Sequence, residues 1–552
     1  MKKLGIIILC LVCLLTDVFS ASYYVSPTGS DVADGLSPAT AWQTLSKVNA
    51  QSFVPGDSIL LEGGQSFNGE LELRDDDTGT ASNPILVSSY GTGKATINAV
   101  SDTSAIDVYN TDGIKIYNIK ATGNWNSVTQ TGNTQMGINF FSDLPGSSTS
   151  NYVYIDNVES SGFRHGIAVG HYSSDTSKGH FDDITIVNSL AHDNARDGII
   201  LWSNSAVLNP TIYGYTFRNV LIRNCKAYSN EGETAQSFPT GFGINLEGVQ
   251  NATVEHCITY NNGIRCGGSG GGAVGIMPFF SDNVTIQFCE SYNNKAGTSS
   301  TDGGGFDLDG GCNNSKIQYC YSHDNDGAGY LIVSWDDVVA PCGTNTIRYN
   351  VSENDCRKSN LGAISVLNGA NDSYVYNNTV YIEPSITGLA RGMYIWGENR
   401  SRVYNNLIQS TGAMLVETGP SQTLNYNNYQ SSGNLSFRHN GTTYTNFAAF
   451  VAASGYEANG TTDRDFTYRN LRYPQMPLVG TIGDAYNLAS IRAYRLQPTS
   501  PMIDAGFNLS SLFPLINMGT RDFWGNPIPE NGLYDIGAHE TAKTIGQCTV
   551  SN

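Results

Sequence analysis

Hydrophobic residues recur at alternate positions in short runs, and the runs repeat. The copies include ITIVNSLAHDN (184–194), LIRNCKAYSN (221–230), TVEHCITYNN (253–262), TIQFCESYNN (285–294), KIQYCYSHDN (316–325) and TIRYNVSEND (346–355). Each places a β-branched or apolar residue, a polar one, then Cys or Asn, and a few residues later an Asn-rich turn and Gly. With the Cys as reference, the equivalent positions are Ile119, Val158, Ser189, Cys225, Cys257, Cys289, Cys320, Asn350, Asn378 and Asn406, spaced 28 to 39 residues apart. A period in this range marks a repeat architecture. Each copy has room for short strands and turns but not for two helices, so the pattern predicts stacked coils of β-structure.

The strands that follow each Asn-rich turn align on a Gly: GIAVG (166–170), GIILW (198–202), GINLE (243–247), GIMPF (275–279), GFDLD (305–309), GYLIV (329–333), AISVL (363–367) and GMYIW (392–396). Strand side chains alternate between faces. The residue after the Gly is apolar throughout and points into the coil. The outward residues then form two columns. One runs Ala168, Ile200, Asn245, Met277, Asp307, Leu331, Ser365, Tyr394; the other runs Gly170, Trp202, Glu247, Phe279, Asp309, Val333, Leu367, Trp396. Large rings left outside a core mark a binding surface. Trp202, Phe279, Tyr394 and Trp396 are the predicted sugar platforms, and Asn245 and Arg196 the predicted hydroxyl contacts.

Three carboxylates stand among these rings. Asp307 and Asp309 are two residues apart on one strand, with Cα atoms roughly 6.8 Å apart on one face, and Glu247 lies two coils from Asp309, roughly 9.6 Å along the ladder. Glycoside hydrolysis needs a carboxylic acid that protonates the leaving oxygen and a second carboxylate. Crowded like charges raise one pKa, which suits the acid. The expected catalytic groups are therefore Asp307, Asp309 and Glu247. The same DLDGG stretch also fits a calcium site fed by Asp302, Asp324 and Asp326. Basic groups near the face are Arg164, His165, His171, Arg196, Arg265, Lys295, His323 and Arg391. Arg196 is expected to pair with Asp197 or to touch substrate. His192 and His323 share a turn position with Tyr228, Tyr260 and Tyr292, which argues for a structural stack. Asp336 and Asp337 are expected to border the groove.

The ends differ from the middle. Met1-Lys2-Lys3, an apolar run and Ser20-Ala21 read as a secretory signal over 1–20. Residues 21–100 are expected to hold an N-terminal cap and first coils, with a short helix in SPATAWQTLSKVNAQ that turns Trp42, Leu45 and Val48 to one side. Residues 101–425 are the coils. Residues 426–552 are expected to hold C-terminal coils and a closing cap, with RDFWGNPIPENGLYDIGAHE (521–540) as closing strands. Cys225, Cys257, Cys289 and Cys320 should stack as buried thiols continued by an Asn ladder, while Cys266, Cys312, Cys342 and Cys356 are free to form disulfides.

The opening YYVSPTGSD…SPATAWQTL…PGDSILLEGG, the ~30-residue coils and the ending SPMIDAG…DFWGNP…DIGAHE resemble secreted right-handed parallel β-helix proteins of the pectate-lyase-like superfamily. The resemblance implies an all-β, single-stranded right-handed parallel β-helix of about ten or more coils and a polysaccharide partner. It leaves the reaction open, since the group holds lyases, glycoside hydrolases, epimerases and phage tailspikes. Asp-Pro-His-Glu, Gly-His-Gly, Arg-Ile-Lys and Arg-x-Pro-x-x-Arg, which mark particular members, are missing. The net charge of −19 argues against nucleic acid and anionic membranes as partners. Three functions fit these features: glycoside hydrolysis without a metal, calcium-assisted elimination on a uronate polymer, or glycan binding alone.

Overall fold

The computed structural model describes residues 20–145, 148–172, 180–203, 214–298, 302–335, 338, 340–385, 389–397, 400–463, 478–513, 516–530 and 532–541. The signal segment, most of the 206–219 insertion, Asp336 and Asp337 lie outside them. Three sheets of 14 strands run the length of the molecule, nearly all parallel. One coil visits them in turn: Val249–Glu255 in the first sheet, Ile258–Tyr260 in the second, Ile276–Phe279 in the third, then Asp282–Gln287 back in the first. The winding is right-handed, as parallel crossovers are. The fold is the right-handed parallel β-helix that the resemblance implies, built from the stacked β-coils that the repeat predicts.

The repeated Cys or Asn position has a local cause. The residue before it turns the chain from the first sheet to the second with positive φ, near +55° at Asn157, Asn188, Asn224, Asn377 and Asn405. Asn tolerates that left-handed conformation better than most residues. The next side chain then points into the coil. Cys225, Cys257, Cys289 and Cys320 are fully buried there, each Sγ turned onto a main-chain carbonyl, as Cys257 is onto Glu255 at 3.3 Å. The stack continues as amides, Asn350 donating to Asn378 at 3.1 Å and Asn378 to Asn406 at 2.9 Å. A second ladder, Asn262 to Asn294 to Asn325 to Asp355, fixes the turn before the third sheet. His192, Tyr228, Tyr260, Tyr292 and His323 stack face to face at 4.7–4.9 Å, so both histidines are structural, as their turn position indicates.

Three expectations are corrected. Cys266, Cys312, Cys342 and Cys356 form no disulfide; they are buried free thiols. Cys312 points at the Pro278 carbonyl (3.3 Å) and Cys342 at that of Val333 (3.8 Å), so the coil draws them to main chain rather than to each other. The N-terminal helix is shorter than predicted, Leu45–Asn49 with Thr44 as its cap, because Asp31 holds the Gln43 and Thr44 amides outside it. Trp42, Leu45 and Val48 are buried as expected. Finally, 521–540 is a run of turns and not of strands. The end of the helix is covered instead by Phe447–Ser454, whose Phe450 packs on Phe437.

The chain after 478 returns along the outside of the second sheet. Buried Glu353 accepts the Val479 and Gly480 amides at 2.8 Å each, and buried Glu290 accepts those of Ile482 and Gly483 at 2.6 and 2.7 Å. An apolar cluster of Tyr321, Val351 and Leu407 with Leu488, Ile491 and Trp524 seals the contact. This segment therefore spends its apolar surface on the second sheet and, through Leu509, Met518, Ile528 and Tyr534, on the row Tyr319, Tyr349, Tyr376 and Tyr404 beside it, and among the described residues none of it lines the cavities of the third sheet's outer face.

Candidate functional site

The register of the third sheet builds the two outward columns as read. Ile200 pairs with Asn245 and Asn245 with Met277, and Asp307 with Leu331, Leu331 with Ser365 and Ser365 with Tyr394. Glu247 pairs with Phe279. Ile276 pairs with Phe306, so Met277 faces Asp307 and the aspartate strand continues the same ladder. The glycines that start these strands are there for space. A Cβ on Gly275 would fall 2.1 Å from the Ser291 hydroxyl and 2.6 Å from the Gly305 carbonyl.

Glycine also seats the first ring. Gly170 has no side chain, so the Trp202 indole lies back over it and stacks on Phe141 at 5.6 Å. Phe279 stacks on Trp335 at 5.7 Å. Loops 231–242 and 267–273 rise as a wall, adding Phe238, Pro239, Phe242 and Gly271. The result is a groove with two hollows that share Pro239, Gly271, Asp309 and Trp335. One, of about 450 Å³, is aromatic and holds Trp202, Phe238, Phe279, Asn245 and Glu247. The other, of about 480 Å³, is floored by Asp302, Asp307 and Asp309 and walled by Leu331, Val333 and Leu361. Both volumes suit small-molecule or sugar-sized ligands.

The carboxyls are all displaced upward. Burial raises Glu247 to about 8, helped by the charge of Asp197. Burial raises Asp309 to about 7, offset by the Gly310 amide that its Oδ1 accepts at 2.8 Å and helped by Asp302. Burial raises Asp302 to about 6. Asp307 is 2% exposed and lies well above the usual range through burial and the charges of Asp309 and Asp302. The trio titrates as one unit, and its protons belong to the cluster. Asp307 Oδ1, Asn245 Oδ1 and Trp202 Nε1 are buried and have no hydrogen-bond partner among the described residues. Buried polar atoms are normally satisfied, so this concentration of open donors and acceptors is what a polar ligand would complete.

Of the predicted residues, Glu247, Asp307, Asp309, Trp202, Asn245, Phe279 and Arg196 line these two hollows. Tyr394 and Trp396 do not. Tyr394 stands three coils beyond Asp307, roughly 14 Å along the ladder, with Arg391 over its ring at 4.4 Å. Arg196 pairs with Glu233 rather than with Asp197, and its guanidinium lies 5.0 Å over the Phe238 ring. Asp197 instead holds His165 at 3.0 Å and accepts the Phe242 amide at 3.1 Å, tying the wall to the floor. His323 is remote, buried under the returning segment beside Glu290 at 3.3 Å. The proposed calcium set is split: Asp302 faces the groove, Asp324 pairs with His323 at 2.9 Å, and Asp326 accepts the Ala296 amide at 3.1 Å. Among the described residues no three His, Cys, Asp or Glu side chains gather with metal-ligand geometry.

Sequence reading missed Phe238, Phe242 and Asp302 as groove residues. The aromatic pair in SFPTGFG was a legible signal, since exposed rings in a loop need a reason. Asp302 gave none, because its position depends on how the Gly303–Gly305 backbone bends.

Fold and groove together define a right-handed parallel β-helix protein with an open, carboxylate-floored and aromatic-walled groove on its third sheet. The superfamily resemblance holds at the level of fold. A family model described as "right handed beta helix region" matches residues 209–380. The chain is 25% identical over 511 residues to a lacto-N-biosidase of Bifidobacterium longum subsp. longum, a match covering 77% of this chain and 30% of that protein. The crystal structure of GH136 lacto-N-biosidase from Eubacterium ramulus superposes with a TM-score of 0.52 and 20% identity, covering 67% of this chain and 65% of that one. Pectate lyase Pel9A aligns over 95% of this chain and 97% of its own, with a TM-score of 0.43 and 14% identity. The match spans less than two thirds of either lacto-N-biosidase.

Proposed function

We propose that this chain is a secreted glycoside hydrolase that cleaves a glycan lying across the third sheet. The observation that carries this is the position of Asp309, where the carboxylate hollow meets the aromatic one. A sugar stacked on Trp202 or Phe279 would end at Asp309, and its neighbour would lie over Asp302 and Asp307. In this reading Asp309 donates a proton to the glycosidic oxygen. Asp302, the least raised member of the trio, carries the charge and acts as the second carboxylate. Asp307 lies beneath them and keeps its proton, leaving Oδ1 to accept from a sugar hydroxyl or water. Glu247 keeps a proton at neutral pH and, with Asn245 (3.3 Å from it), contacts hydroxyls in the aromatic hollow. Tyr394 and Trp396 would meet only a longer substrate.

The lacto-N-biosidase relatives support a glycosidic bond as the target, and the N-terminal pattern at 1–20 supports secretion. The reading needs no metal, and a chelator should leave turnover intact. The test is product analysis on an aryl lacto-N-bioside and on neutral and uronate polysaccharides, following reducing ends and ultraviolet absorbance together. New reducing ends without absorbance are expected. Absorbance rising with reducing ends would replace hydrolysis by elimination, and binding without product would leave a glycan-binding protein.

A further inference from the structure

A third cavity, of about 310 Å³, lies on the outer face of the first sheet, away from the groove. Its floor comes from three neighbouring strands. Lys316 pairs with Thr346 and Thr346 with Tyr374, while Gln318 pairs with Arg348 and Arg348 with Tyr376. Ile516 and Asn517 of the returning segment form its far lip. Among the described residues no Asp or Glu lines it.

The charges here are unusual for a chain of net charge −19. Arg348 is only 5% exposed, yet all its hydrogen bonds go to neutral acceptors: Gln318 Oε1 at 2.6 and 2.8 Å, the Tyr376 hydroxyl at 3.2 Å and the Asn517 carbonyl. Among the described residues neither Arg348 nor Lys316 makes an ion pair. Burial and the like charge of Arg348 hold the Lys316 ammonium below its ordinary range. A buried cation without a counter-charge is costly, and here buried Arg348 shares its cavity with the half-buried Lys316. The Tyr374 ring lines the same cavity, with the Arg402 guanidinium 5.2 Å over it.

We propose that this cavity is a second glycan-binding site, taking the carboxylate or sulfate of an acidic sugar between Lys316 and Arg348 with the sugar ring against Tyr374. It is independent of the hydrolytic reading. Arg348 is held by Gln318, Tyr376 and Asn517 through four of its five N–H groups, which leaves one Nη2 N–H for a ligand, while Lys316 supplies the second charge. An oxyanion gains charge-assisted bonds from both.

The experiment is titration calorimetry on the whole chain with a galacturonate trisaccharide, galactose 6-sulfate, neutral galactose and inorganic sulfate. The acidic sugars should bind and neutral galactose should not. Lys316→Gln should weaken binding about tenfold, the range of one charged hydrogen bond. Tyr374→Ala should weaken the acidic sugars but not inorganic sulfate. Lys316→Gln should leave any turnover in the groove unchanged. The proposal is overturned if no acidic probe binds or if neutral galactose binds equally. It is equally overturned if Lys316→Gln has no effect, or if Tyr374→Ala spares the sugars as it spares sulfate. Loss of binding on Trp202→Ala would assign the ligand to the groove and also overturn it.

Discussion

Replacing Asp309 by Asn removes a proton while keeping a shape. The amide oxygen can still accept the Gly310 N–H that Asp309 Oδ1 accepts at 2.8 Å, so the local turn should survive. The carboxyl sits at about 7 because burial penalises its charge and Asp302 adds to the penalty. The proton that the carboxylate trio holds is then lost as pH rises through neutrality. If Asp309 is the acid, kcat/KM should fall about tenfold per pH unit above 7, and the fall should vanish in Asp309→Asn. Loss of a general acid is worth about 10²–10⁴ in rate, or roughly 3–5 kcal/mol of transition-state stabilisation. The loss should be largest for a natural sugar leaving group and small for a nitrophenol, which departs without a proton. Asp302→Asn should cost most of the turnover as the second carboxylate, and whatever activity remains should have its alkaline limb at lower pH, because the charge that helps raise Asp309 is gone. The assay is kcat/KM against pH for natural and nitrophenyl substrates, with substrate binding measured separately by calorimetry. The role of Asp309 as the acid fails if Asp309→Asn keeps more than about a tenth of turnover on the natural substrate. It also fails if the loss is equal for both leaving groups, or if the native profile is flat from pH 7 to 9.

Trp202→Ala should raise KM about tenfold or more with little change in kcat on short substrates, since stacking on an aromatic face contributes on the order of 1–3 kcal/mol to binding; steady-state kinetics check it. Asn378→Ala should destabilise the middle coils by about 2–4 kcal/mol, because it takes the side-chain partner from the buried Asn350 amide (3.0 Å) and the Ile347 carbonyl (3.0 Å), while Asn406 Oδ1 keeps the Asn378 main-chain amide (3.0 Å) and the Asn350 side chain keeps the Ile317 carbonyl (3.0 Å). Urea unfolding and hydrogen exchange of the Asn350 amide would show it. Stability should fall as pH rises from about 5 to 9. Burial raises Glu457 to about 7, Asp535 to about 7 and Glu540 to about 8. The folded state therefore binds more protons than the unfolded one, a contribution present below the unfolded pKa and lost through the folded one. Thermal unfolding midpoints across that range check the sign.

The repeat carried the fold because each coil states its own turns and faces locally. An Asn in the left-handed region, an inward Cys or Asn, a Gly and an alternating strand are short-range signals, and stacking repeats them. The columns Ile200–Asn245–Met277 and Trp202–Glu247–Phe279 followed from alternation alone, which is why most candidate groove residues were legible. What alternation cannot carry is anything set by a loop or by a contact distant in sequence. Phe238 and Phe242 reach the groove through a loop whose path depends on Asp197 and Arg196. Asp302 joins Asp307 and Asp309 only because three glycines fold it back. Tyr394 and Trp396 kept their predicted face but fell beyond the hollows, since only loops decide how far a groove extends. The returning segment settled on the second sheet because Glu290 and Glu353 offered acceptors for its amides. Periodicity thus determined the scaffold and its displayed columns, while long-range packing decided which stretch of those columns became a groove and which cations it gathered beside Tyr374.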